Sequence, residues 1–96
     1  MSQTKTVWVF HGRRARFAGG VFSEVVEAER WIATHALTGT LTAYPLDEGV
    51  YDWAIRNDVT GMKREKFEER SEDPDWVGGF TSAAQEHIHF EDGKRA

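Results

Sequence analysis

The chain contains no cysteine. Neither a disulfide framework nor a thiolate zinc site can form, and the expected home is cytoplasmic. Basic charge is in deficit, with 12 Lys and Arg against 16 Asp and Glu, a net charge of −4. General nucleic-acid binding needs a basic footprint that this chain lacks, whereas a basic protein partner stays open. Long apolar runs are missing too. The opening MSQTKTVWVF reads neither as a signal peptide nor as a membrane span, so no membrane partner is expected. No internal repeat or low-complexity tract is visible. No serine stands in a nucleophile-elbow pattern, and Gly19-Gly20 and Gly78-Gly79 lack phosphate-loop spacing, which makes them backbone punctuation.

What is present fits one small globular domain over residues 1–96. Such a chain buries about 60–70% of its unfolded surface, enough for one modest core. Four Trp, six Phe and two Tyr can build that core from few residues. Met1 to Lys5 reads as a loose start. Thr6 to His11, TVWVFH, is the strongest strand, apolar on both faces and therefore expected inside the sheet. Ala15 to Ala18 is a possible short return strand. A helix is expected from Glu24 to about Leu37, with Ser23 as its cap, Val25, Ala28, Ile32 and Ala36 on its apolar stripe, and Thr38-Gly39 as its stop.

Thr40 to Leu46 reads as the next strand, ended by Pro45. Asp47-Glu48-Gly49 turns into a helix from Val50 to about Asn57, with Asp52 and Arg56 as an i,i+4 pair. KREKFEERSEDPD carries four positive and six negative side chains with one large apolar residue, Phe67. Residues 59–75 are therefore expected as a charged mobile loop or a short exposed helix. Pro74 after Asp73 starts a short turn that Gly78-Gly79 stops. Glu86 to Glu91 is the last strand and Lys94 to Ala96 a tail. The expected class is α+β, in the order β(β)αβα-loop-β, with a three- or four-stranded sheet and helices packed on one face. The stretch Leu37 to Ile55 is the organising unit in this scheme. Its Trp53, together with Trp8, is expected in the core, so that Trp53→Ala would cost more than Trp76→Ala.

Candidate functional residues are sparse. His87-x-His89 places two imidazoles on one strand face, about 6–7 Å apart at Cα, where they could chelate a divalent metal with His11 as third ligand if its strand pairs alongside. That would make a small metal- or ligand-binding domain, with a hydrolase as the chemistry, and it lacks a clear carboxylate partner among Glu86, Glu91 and Asp92. Arg13, Arg14 and Arg16 could take a phosphate or carboxylate, or simply solvate a turn. Trp31 and Trp76 are candidate exposed anchors for a protein partner.

The segments VWVFHG, GVFSEVVEAERWIATHALTGTLTAYPLDEGVYDWAI and QEHIHFEDG together resemble a family of small uncharacterised bacterial domains, over nearly the whole chain. The resemblance emphasises His11, Gly12, Gly39, Tyr44, Pro45, Tyr51, Asp52, Trp53, Glu86, His87 and His89. It brings no reaction with it. The chain departs from the pattern at Ala18-Gly19, where Pro-Ser is expected, and at Asn57 to Gly61, where Gly and an aromatic are expected. By analogy with small acidic bacterial proteins, the resemblance implies a non-enzymatic immunity- or antitoxin-type module without cofactor, binding a basic protein such as a toxin. Candidate binding residues are then Trp31, Trp76, His11, Tyr51, Asp52, Glu86, His87 and His89.

Overall fold

A computed structural model describes residues 5–96; the loose start expected before Lys5 lies outside the described residues. The elements run β1 (Thr6–Gly12), β2 (Gly20–Phe22), α1 (Val25–Thr34), β3 (Gly39–Pro45), α2 (Val50–Arg56), α3 (Arg64–Arg70), α4 (Pro74–Gly78), β4 (His87–Glu91) and β5 (Lys94–Arg95). The strands form one sheet in the order β2-β1-β3-β4-β5, each neighbouring pair antiparallel. The α+β class agrees with the sequence. The sheet, however, has five strands where three or four were expected.

Both extra details follow from turns. Ala15–Ala18 is not a strand: Phe17 is 77% exposed there, with the Arg16 guanidinium over its ring. The return strand starts at Gly20, where a Cβ would lie 2.8 Å from the Phe22 ring and 3.4 Å from that of Trp31. At the other end, Asp92 and Gly93 have φ of +51° and +88°. Two consecutive left-handed residues make the tight hairpin turn that matches strand twist, so the expected tail folds back as β5.

Register sorts the side chains onto two faces. Phe10 lies opposite Leu41, Leu41 opposite Ile88, and Trp8 opposite Phe22. This face takes α1, and Phe10, Ala28, Ile32, Leu41 and Phe90 form the buried core, flanked by Trp8, Phe22, Val25, Trp31, Leu37 and Ile88. Two compact units result. One holds the sheet and α1, up to Leu46 and again over Glu86–Ala96; the other is Asp47–Gln85, with α2, α3 and α4. The stretch Leu37 to Ile55 is thus divided between the two, and only α1 of the four helices belongs to the unit that holds the sheet.

The helix α1 ends at Thr34, three residues before the expected end at Leu37. Ala36 N–H donates to the Ala33 carbonyl and Leu37 N–H to that of Ile32, with Ala36 in the left-handed region at φ +53°. These paired bonds form a Schellman stop, usually built on glycine. The nearby glycine is committed elsewhere. A Cβ on Gly39 would collide with the His11 carbonyl oxygen, the Phe10 ring and the Gly12 Cα.

Arg95 of β5 donates to Glu29 of α1 at 2.6 Å. This hydrogen bond, opposed by desolvation and aided by the charge of Arg95, holds the Glu29 carboxyl below its ordinary range. A carboxyl lowered in the folded state adds stability that is present above its unfolded pKa and lost as pH falls through the folded value. With side chains 33% and 55% exposed, the contribution is screened and small.

Two outcomes follow from these packing details. Ala36→Gly should raise stability by about 0.5–1 kcal/mol, because exposed Ala36 loses little packing and the left-handed penalty is relieved. A urea midpoint that is unchanged or lower would contradict the Schellman assignment. Glu29→Gln should remove one segment of the acid limb of the melting-temperature profile, just below the ordinary carboxylate range. Identical profiles for the two proteins would show that the Arg95 pair contributes nothing.

Candidate functional site

Strand alternation puts the histidines on the sheet face opposite α1. His11 of β1 lies opposite Thr40 of β3, and Thr40 lies opposite His89 of β4, while Thr42 faces His87. The His89 Nδ1 is 3.2 Å from the Thr40 hydroxyl. The rings of His87 and His89 meet edge to face at 5.3 Å. All three histidines are exposed. Glu91 continues the alternation onto this face, opposite Lys94. Glu86 precedes the strand, exposed, and its carbonyl accepts from the Ala43 N–H.

The strands of His11 and His89 are not neighbours. β3 stands between them, which separates the two residues by two strand spacings, about 10 Å. Among the described residues no group of three or more His, Asp or Glu is placed to hold one metal ion. Arg13 joins His11, Thr40 and His89 around a shallow depression of about 370 Å³ at this end of the sheet. Sequence alone points to His11 near His87 and His89 but not to Arg13 beside them, because that association depends on register across three strands.

The aromatic candidates Trp31, Trp76 and Tyr51 each pack against other rings. Trp31 is half-buried, with the Phe22 ring at 5.5 Å and the Phe10 ring at 5.7 Å. Within Asp47–Gln85, Trp76 is half-buried against Tyr51, Phe67 and Phe80, and Tyr51 stacks on Phe67 at 5.2 Å, 12° from parallel. The expected contrast between core Trp8 and Trp53 and exposed Trp31 and Trp76 is absent; all four are half-buried. The reason is that Phe67, apparently isolated among charges, supplies the second unit with its buried aromatic centre.

Local structure around that centre is built from short polar contacts. Over 59–75 the chain is helical at α3, where Arg64 and Glu68 pair one turn apart at 3.2 Å. Asp73 caps α4 by accepting from the Asp75 N–H, with Pro74 at the first helical position, as the sequence indicated. Arg56 grips Glu48 through two bonds of 3.0 and 2.7 Å rather than serving the expected pair with Asp52, which is exposed. Gln85 is buried and its side-chain oxygen accepts from the Ser82 N–H, while the Ser82 hydroxyl donates to the Val59 carbonyl.

A groove of about 560 Å³ opens in this unit, lined in part by Tyr51, Ile55, Met62 and Phe67, with Asp58, Arg64 and Glu68 at its polar side. Ile55 is 48% exposed. The unit carries ten Asp and Glu against five Lys and Arg, a net of −5, whereas the sheet unit carries six against seven. Sequence reasoning noticed the acidity and missed the groove, since Ile55, Met62 and Phe67 share no periodicity.

The ring cluster reverses the expected ranking of tryptophans. Trp76 touches three rings, and no ring contact of Trp53 is found among the described residues. Trp76→Ala should therefore cost about 3–5 kcal/mol, at least as much as Trp53→Ala. Denaturant unfolding in which Trp53→Ala is clearly the worse would refute the central role of the cluster.

No curated protein and no solved structure is similar enough to the chain to register as a match. A family model does match, across residues 7–96 and so across both compact units. The chain belongs to the family described as a domain of unknown function, DUF7710.

Proposed function

We propose that this chain is a non-enzymatic, cytoplasmic protein-binding module that inhibits a basic protein partner, in the manner of bacterial immunity proteins and antitoxins. The observation that carries the reading is the segregation of charge. Asp47–Gln85 holds the net negative charge of the chain, and Glu65, Glu68, Glu69, Glu72, Asp73 and Asp75 are all exposed there. A concentrated acidic surface steers a basic partner and sets its orientation. The groove beside it gives such a partner an apolar seat at Ile55, Met62 and Tyr51. The anchors expected at Trp31 and Trp76 are replaced in this reading, because both rings are engaged within their own units.

The test pairs capture with charge reversal. Wild-type protein and a Glu68→Lys, Glu69→Lys, Glu72→Lys variant are used as baits in lysate of the native organism, at about 50 mM and about 200 mM salt. Wild type should recover one basic protein and bind it in purified form with defined stoichiometry. The variant should weaken that binding by about tenfold or more, and the salt dependence should shrink with it. Recovery of no specific protein, or equal binding by the variant, would overturn the proposal.

A further inference from the structure

The depression bounded by His11, Arg13 and His89 lies on the sheet unit. Its volume is about 370 Å³ and, among the described residues, no carboxylate lines it. Its ionisable wall is one guanidinium and two imidazoles, joined by the Thr40 hydroxyl. The fold fixes each group from behind. His11 and His89 are held on one face by register with Thr40, and the Arg13 N–H is tied to the Thr38 carbonyl at 3.0 Å. Gly12 and Gly39 pair in register at this end of the sheet.

The donor set discriminates between ligands. A guanidinium at the wall repels a metal cation, and its planar fork suits two oxygens of one anion. An imidazolium donates from both nitrogens. With Nδ1 of His89 beside the Thr40 hydroxyl, the other nitrogen of that ring is left for a second partner. We propose that His11, Arg13 and His89 form a binding site for a tetrahedral oxyanion, the phosphate group of a small ligand or free phosphate. This goes beyond the protein-binding reading and does not depend on it.

Other charged groups lie on the same face. His87 touches the His89 ring, and Glu91 and Lys94 occupy the same face at the β4–β5 hairpin, opposite each other. Arg13 is the charged group of the β1–β2 loop that lines the depression. The facing residues of β3, Thr40 and Thr42, and of β2, Val21, carry no charge.

The experiment follows the histidine side-chain resonances of the whole chain by NMR during titration with sodium sulfate, inorganic phosphate and phenyl phosphate, at ionic strength held constant with chloride. The His11 and His89 signals should shift saturably with sulfate. Arg13→Gln and His89→Gln should each weaken binding by about tenfold, while Arg14→Gln, outside the wall, changes it less than about twofold. All three positions are exposed, and an unchanged melting temperature verifies that each variant is folded. Binding of phenyl phosphate as tight as that of phosphate assigns an esterified group; binding of inorganic phosphate alone assigns the free ion. Shifts that chloride reproduces, or an Arg14→Gln effect equal to that of Arg13→Gln, would overturn the site.

Discussion

The sheet depends on the packing of one ten-residue helix, α1, against one of its faces. Ile32 of that helix and Leu41 of the central strand are the largest fully buried side chains, in one cluster with Phe10, Ala28 and Phe90. Burying a side chain of this size contributes about 1.5–3 kcal/mol, so a few such residues decide the stability of a small unit. The strand period of two then leaves no freedom elsewhere. Once Phe10, Leu41 and Ile88 face the helix, His11, Thr40 and His89 must face away from it. The polar row on the open face is the geometric counterpart of the core.

Much of this was legible in the sequence, for reasons that can be named. Thr6 to His11, Thr40 to Pro45 and His87 to Glu91 are long enough to show strand character and alternation, and the Asp73-Pro74 start of α4 is a local signal of capping. Strands β2 and β5 were not legible as such. Three residues and two residues carry no period, and their pairing is imposed by Gly20 beside two rings and by the Asp92-Gly93 turn. The end of α1 was misplaced for a related reason. Gly39 invites reading as a helix stop, but the close approach of β1 and β3 requires it, and Ala36 takes the left-handed position instead.

The candidate residues were legible in kind more than in place. Alternation alone puts His87 and His89 together, yet their relation to His11 and Arg13 requires knowing that β3 intervenes. The exposure of Trp31 and Trp76 could not be read locally, because Phe22 and Phe10 in one case, and Phe67, Tyr51 and Phe80 in the other, come from other parts of the chain. Net charge concealed the same kind of information. A modest −4 for the whole is a strongly acidic unit beside a nearly neutral one.

The acidic unit is also an interruption. It enters between β3 and β4, whose adjoining ends are bonded to each other, the Ala43 N–H to the Glu86 carbonyl at 2.8 Å. During synthesis, β1, α1 and β3 leave the ribosome well before Ile88 and Phe90, so the sheet waits with one edge of its central strand open. Closing that gap costs loop entropy that grows only with the logarithm of the intervening length, and ordering of the insert shortens the effective loop. Nascent chains paused within Asp47–Gln85 would therefore carry an unpaired strand edge and an incomplete apolar face, the combination that invites aggregation or capture by chaperones.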